Sequence, residues 1–351
     1  MNKRDYYSPY KVAYHNDKIE QLRKGEMIVP LFAQIDLTNI CNLNCSFCSY
    51  KIGNYKSNVM KDFKKQDKID KKILFRILEE MKQSGVKALE WTGGGEPTAH
   101  PDWKEIVRKA KELGYEQSLV TNGTLLDDEG IELIQDFEWV RFSIDASNSE
   151  TYNIIKKRDV FDIAISNLKK LIKVKESKNI VGVSFIVCRE NYKEIYDSMK
   201  LAKKLGCNNV RYSLAYTPIK EKMFEGIWDE IVNQIGLVKK EETEDFKVFS
   251  FSNRINEISQ KVKCGSCYFH EFVVALGANG IIYPCCLLNY NPKFNLGDLT
   301  KHSFRDIWFG EKRKKFTKMV RNGCPYSCWM TDKNKFITSL VQEDPPHVNF
   351  I

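Results

Sequence analysis

The sequence predicts an α/β fold, with six consecutive βα units forming a parallel sheet and a small cysteine-rich region after them. Three observations predict it. Short β-rich stretches alternate with helical stretches from Phe32 to Leu214. The helical stretches carry apolar residues at a period of about 3.6, and two of them stop at glycines. Beyond a charged connector, a hairpin pattern lies between cysteines. Six units are fewer than the eight that close a TIM barrel.

Residues 1–30 are polar, with one short helix expected near 18–25. So short a segment does not fold alone and is expected to strap the core. Residues 31–215 form the core. Strands are expected at 32–38, 86–92, 116–121, 139–144, 181–187 and 209–214. The helix at 70–83 places Ile73, Leu74, Ile77, Leu78 and Met81 on one face and stops at Gly85. The helix at 102–113 uses Trp103, Ile106, Val107, Ala110 and Leu113 and stops at Gly114. Further helices fit 127–136, 160–175 and 192–205. Residues 216–262 read as a helical connector, with helical patches at 224–235 and 254–262. Its run Lys239-Lys240-Glu241-Glu242-Thr243-Glu244-Asp245 marks a solvated break between domains. Residues 263–335 form the cysteine-rich domain, and 336–351 a tail.

Three cysteines, Cys41, Cys45 and Cys48, follow the first strand in a C-x3-C-x2-C spacing. Three thiolates on so short a loop can hold three irons of a cuboidal cluster that normally takes four cysteines. The fourth iron is then open to a non-protein ligand. Half of a zinc site, or buried structural thiols, would use the same residues. The loop, with Phe47 before its last cysteine, resembles the cluster motif of the radical S-adenosylmethionine (radical SAM) enzymes. That resemblance implies a partial (βα)6 TIM-like barrel and a [4Fe-4S] cluster whose open iron chelates the amino and carboxylate groups of SAM. It further implies that one electron cleaves the sulfonium to a 5′-deoxyadenosyl radical, which abstracts hydrogen from a substrate.

The second strand runs into Gly93-Gly94-Gly95-Glu96-Pro97, which resembles the glycine-glycine-glutamate motif of that family. Glycines let backbone approach a ligand closely, and in the family this turn meets the amino group of SAM. The strand ends at Asn122 and at Ser143 with Asp145 are similar to family strand ends, and Asn191, at the end of the fifth strand, is expected to face the same pocket, so these four, with Phe47, are candidate SAM contacts. Ser143 or Asp145 could instead cap the following segment. Cys188 would lie near the barrel mouth, where a thiol could donate hydrogen to a substrate radical or simply pack.

The C-terminal region holds Cys264, Cys267, Cys285, Cys286, Cys324 and Cys328. Val273 to Leu276 and Gly280 to Tyr283 read as a hairpin around Asn279-Gly280, a strong tight-turn signal. A hairpin brings its flanking cysteines side by side. The C-x12-G-x4-C segment, with Phe294 to Leu299 and Ser303 to Trp308, resembles the SPASM/twitch auxiliary-cluster domain. The resemblance implies one auxiliary iron–sulfur cluster, of the [4Fe-4S] type, on Cys267, Cys285, Cys324 and Cys328. Cys264 is a substitute ligand and Cys286 the least suited. Four thiolates suit structural zinc as well.

Composition narrows the rest. A hydrophobic content of 42% and an aromatic content of 12% suit a globular protein. The net charge of +9 is spread over mixed runs without an RNA-binding signature, so nucleic acid is not an expected partner. No stretch approaches a membrane span, and no secretory signal opens the chain. Eleven cysteines without such a signal suggest cluster ligation in a reducing, cytoplasmic setting. The expected protein is therefore an enzyme that oxidises, dehydrogenates or otherwise modifies a small polar molecule or a peptide. It would draw electrons from an external one-electron reductant such as flavodoxin or ferredoxin. The rivals are a non-catalytic iron–sulfur or zinc electron-transfer protein and an RNA-modifying radical SAM enzyme.

Overall fold

The computed structural model describes residues 7–50, 60–215, 223–250, 265–324, 328 and 330–342. The expected helical patch at 254–262 lies outside them. The strands, in chain order, are β1 (Phe32–Asp36), β2 (Ala88–Thr92), β3 (Glu116–Thr121), β4 (Trp139–Ser143), β5 (Ile180–Val187), β6 (Asn209–Leu214), β7 (Lys247–Phe249), β8 (Val273–Leu276), β9 (Ile281–Tyr283) and β10 (Gly297–Asp298). They form one sheet in the order β10-β9-β8-β1-β2-β3-β4-β5-β6-β7. From β8 across to β7 every neighbouring pair is parallel. β9 and β10 are antiparallel additions beyond β8.

All six expected strands are present, and the structure adds β7 and β8 to the parallel set. β7 is three residues long inside a charged stretch and has no periodicity to betray it. β8 was expected in the hairpin with β9, which forms around Gly280 at φ +76. Its pairing with β1, in the register Phe32↔Val273 to Ile35↔Leu276, is a contact too distant in sequence for local patterning to reveal.

Crossover helices cover the sheet. Lys71–Ser84 begins at Asp70, whose carboxylate accepts from Lys72 N–H and Ile73 N–H, and ends at left-handed Gly85. It buries Leu74, Ile77, Leu78 and Met81. Trp103–Glu112, Asp128–Ile134, Phe161–Val174 and Ile195–Lys204 each bury an apolar face in the same way. Alternate strand residues such as Ala33, Ile35, Leu89, Trp91, Val140 and Phe142 join the helix residues in one core. Their neighbours Gln34, Glu90 and Arg141 are half-buried on the opposite face.

The C-terminal region is built onto this sheet. The Trp308 indole donates to Ile28 O at 2.8 Å, and Phe304 N–H donates to Glu80 at 2.7 Å. A second, smaller core joins Val12, Ile19, Leu22 and Ile28 to Phe272, Ile337 and Val341. The N-terminal segment thus packs on the C-terminal helix Thr331–Val341. Among the described residues no helix is long and apolar enough to cross a membrane.

Candidate active site

Because β1 to β6 run parallel, their C-terminal ends share one edge of the sheet, where βα proteins place ligands. The cysteine loop leaves β1 at that edge. A helix end leaves its last carbonyls without intrahelical donors, and the loop uses two of them. Asn44 N–H donates to Lys156 O at 3.1 Å and Ser46 N–H to Ile155 O at 2.8 Å, both at the end of the helix Ser149–Lys156. That helix stops because Lys157 turns left-handed, at φ +59. Arg158 Nη1 adds a bond to Asn42 O at 2.8 Å. Within the loop, Leu43 N–H donates to Cys41 Sγ at 3.4 Å and Cys48 N–H to Cys45 O at 3.2 Å. Cys41, Cys45 and Cys48 are each partly exposed.

The glycine turn lies directly against the segment before Cys41. Glu96 N–H donates to Ile40 O at 2.9 Å. A Cβ on Gly95 would stand 2.2 Å from Ile40 O, so only glycine permits this approach. Glu96 is buried and accepts from Thr98 N–H at 3.2 Å, Thr98 Oγ1 at 2.7 Å, Thr121 Oγ1 at 2.6 Å and Asn122 N–H at 2.7 Å. Burial raises its pKa and these bonds oppose the rise. Its carboxylate therefore ties β2 to β3. Asn122 Nδ2 donates to Asn42 Oδ1 at 2.9 Å, which connects β3 to the cysteine loop.

Asp145 follows β4 in a left-handed conformation, φ +60. Its Oδ1 accepts from Ile186 N–H at 2.6 Å, and its Oδ2 pairs with Lys156 Nζ. Lys156 is buried and stands 5.3 Å from the centre of the Phe47 ring. Burial alone would lower the ammonium's pKa, but Asp145 and the Cys45 sulfur outweigh it and the pKa rises. Sequence reasoning missed Lys156. Its signal was a lysine on the same helix face as Tyr152 and Ile155, both buried.

The other expected contacts are placed less openly. Ser143 Oγ accepts from Ser184 Oγ at 3.3 Å across β4 and β5. Asn191 is buried and donates to Asp145 O and Ile186 O, each at 2.8 Å, while its Oδ1 accepts from Cys188 N–H. Cys188 lies in the main core, where burial raises its pKa.

A second group of sulfurs gathers around Cys285. Burial, then the charges of Cys286, Cys328 and Cys267, push the Cys285 thiol well up. Cys324 N–H donates to Gly265 O at 3.3 Å, and Cys267 N–H to Val320 O at 3.0 Å. Cys264 lies outside the described residues. Crowded, desolvated sulfurs are a soft donor set that favours a bound cation over protons. Among the described residues no three Cys, His, Asp or Glu side chains converge tightly enough for one ion. A cluster differs in kind, because its ligands bind separate irons.

Three aromatic rings pack beside the sulfur groups, Tyr290 buried and Tyr50 and Phe63 half-buried. Tyr50 packs with Phe63 at 5.3 Å and Tyr290 at 6.2 Å between centroids. Burial raises the Tyr50 pKa, and Asp36, Cys286 and Cys48 raise it further, so this ring lies near a cysteine of each group. Tyr290 Oη lies 2.8 Å from both Asp36 Oδ2 and Asn39 Oδ1, which share its one proton, and accepts from Ala278 N–H at 2.9 Å.

Comparison with known proteins agrees with this layout. Residues 35–202 match the radical SAM superfamily, and residues 264–330 match SPASM, an iron–sulfur cluster-binding domain. A "Tungsten-containing aldehyde ferredoxin oxidoreductase cofactor-modifying protein" of Pyrococcus furiosus is 24% identical over 318 residues, 85% of this chain and 86% of that one. A "Probable GTP 3',8-cyclase" of Saccharolobus islandicus is 32% identical over 179 residues, 50% of this chain and 54% of the cyclase. Among solved structures, Streptococcus suis SuiB bound to S-adenosylmethionine superposes with a TM-score of 0.67 at 15% identity, over 92% of this chain and 79% of SuiB. Native anSMEcpe with bound AdoMet gives 0.62 at 17% identity, over 90% and 92%. The chain belongs to the radical SAM superfamily, as a radical SAM enzyme that carries a C-terminal SPASM domain.

Proposed function

We propose that this enzyme uses SAM to remove one hydrogen atom from a peptide or a small polar molecule, and that the product is an oxidised or otherwise modified substrate. The observation that carries the proposal is the docking of Gly95 and Glu96 on Ile40, which holds the glycine turn and the cysteine loop together at the strand ends. When bound, a [4Fe-4S] cluster supplies one electron to SAM, which separates into methionine and a 5′-deoxyadenosyl radical that takes a hydrogen atom.

The chain's own residues prepare that site. Cys41, Cys45 and Cys48 would hold three irons. Gly93, Gly94 and Gly95 leave room for backbone to meet the SAM amino group. Glu96 and Asn122 fix the turn and the loop that border SAM. The Lys156 ammonium, paired with Asp145, lies buried beside the loop and fixes the end of the helix that holds it. Phe47 shields this charge from water. Cys267, Cys285, Cys324 and Cys328 would hold one auxiliary cluster, and Tyr50, which packs on Tyr290, lies near a cysteine of each group. A one-electron reductant such as flavodoxin or ferredoxin would recharge the first cluster.

Both substrate classes have support among relatives. SuiB is known bound to precursor peptide SuiA and anSMEcpe to the Cp18Cys peptide, whereas the Pyrococcus relative is named for modifying a cofactor. The test is release of 5′-deoxyadenosine from SAM by reduced, anaerobically reconstituted protein, beside a Cys45→Ala variant. Release that disappears in the variant supports the proposal. Equal release from both proteins would overturn it. Deuterium transfer from labelled candidates into 5′-deoxyadenosine then identifies the substrate.

A further inference from the structure

A buried cluster of charges lies beneath Cys267. Arg313 is 0% exposed and Glu271 1%, and Arg313 Nη2 meets Glu271 Oε2 at 2.9 Å. Arg321 meets the other oxygen, Oε1, at 3.0 Å. Arg313 also donates to His270 O at 3.2 Å and stacks 4.5 Å from the Trp308 ring centre. The Arg321 guanidinium lies 3.4 Å from the Tyr268 ring centre and donates to the carbonyl of Cys267 itself at 3.3 Å. Ser266 Oγ donates to Arg321 O at 2.6 Å. The triad and the cysteine are therefore one packed unit.

The charges in this unit do not balance. Two guanidiniums share one carboxylate, Arg313 on Oε2 and Arg321 on Oε1 of Glu271. One positive charge is left over on a pair of which Arg313 is fully buried and Arg321 partly exposed, within electrostatic reach of a sulfur proposed to bind iron. Fixed charge near a cluster sets its reduction potential, and a positive charge favours the reduced, more negative form.

We propose that the Arg313–Glu271–Arg321 triad tunes the auxiliary cluster on Cys267, raising its reduction potential so that it accepts electrons more readily than the SAM-binding cluster does. This rests on the reading of Cys267 as a ligand of an auxiliary iron–sulfur cluster. The three residues are positioning residues, acting on the cluster through charge and through the Cys267 backbone.

The test is a redox titration of the reconstituted full chain, with each cluster followed by its own EPR signal. Arg321→Gln removes a positive charge and should lower the auxiliary midpoint. Glu271→Gln removes a negative charge and should raise it. Arg321→Lys should leave it near the parent value, and the SAM-binding cluster should hold its midpoint in every variant. Opposite shifts from neighbouring residues are not what loosened packing produces. Arg321 is 23% exposed, so its variants keep the test open should Glu271→Gln fail to fold. An auxiliary midpoint unchanged in Arg321→Gln, with both clusters counted by iron and Mössbauer analysis, would overturn the proposal alone. A parent protein that binds only one cluster would overturn the reading beneath it as well.

Discussion

Lys156 and Asp145 are 2% and 1% exposed, so each serves as the other's counter-ion. Removing one leaves a buried charge uncompensated, and Lys156→Met or Asp145→Asn should cost roughly 3–5 kcal/mol. The double variant should recover part of that loss, and urea unfolding of all three proteins checks it. Additive losses would show that the pair is not coupled. A second buried group reports on pH. His100 Nε2 lies 2.9 Å from Ile69 O, and its Nδ1 accepts from Asp102 N–H at 3.1 Å. Both bonds suit the neutral ring, and burial lowers its pKa below 6.5. As pH falls through 6.5, the unfolded chain takes a proton that the folded chain declines. Stability is thus present above that pH and is lost toward the lower folded pKa. Replacing His100 by Gln should lessen the loss of stability below pH 6.5, by at most one proton, about 1.4 kcal/mol per pH unit. Urea midpoints at pH 7.5 and 5.5 measure this, and the neutral His270 leaves a residual slope of the same sign.

The helix Ser149–Lys156 matters more than its length suggests, since its last carbonyls hold the cysteine loop. Lys157, which ends it, is exposed and left-handed. Lys157→Gly should stabilise the protein by about 1 kcal/mol by relieving that conformation, measured as a rise in melting temperature. A fall would mean that the lysine side chain is needed where it lies. This helix also marks the limit of what the sequence discloses. The six long strands and the crossover helices are legible because their apolar period is local. The helix itself went unread although Asn148 caps it, its side chain accepting from Thr151 N–H. Its amphipathic signal is masked by Lys156, which a hydropathy pattern places in solvent and a partner eleven positions earlier draws inside. The cysteine loop and Gly93–Gly95 were legible from spacing. Tyr50, Tyr290 and Asp36 were not, because they become neighbours only when the C-terminal region folds onto β1.

At the scale of the whole molecule, β8 and β2 flank β1, so the first strand is completed by a segment more than two hundred residues later. A chain cut after residue 250 would expose the β1 edge from Phe32 to Ile35 and the apolar surface under Trp308. Such a fragment should be recovered as aggregate, not as a cooperative folding unit. Size-exclusion chromatography and thermal unfolding decide this, and a monomeric fragment with a sharp transition would contradict it. The same adjacency sets a timetable for biosynthesis. At about 5–20 residues per second, on the order of ten seconds or more separates the emergence of β1 from the ribosome and that of its last neighbour. The cysteine loop is therefore translated long before the sheet beside it is sealed, and loading the first cluster is work for the finished chain.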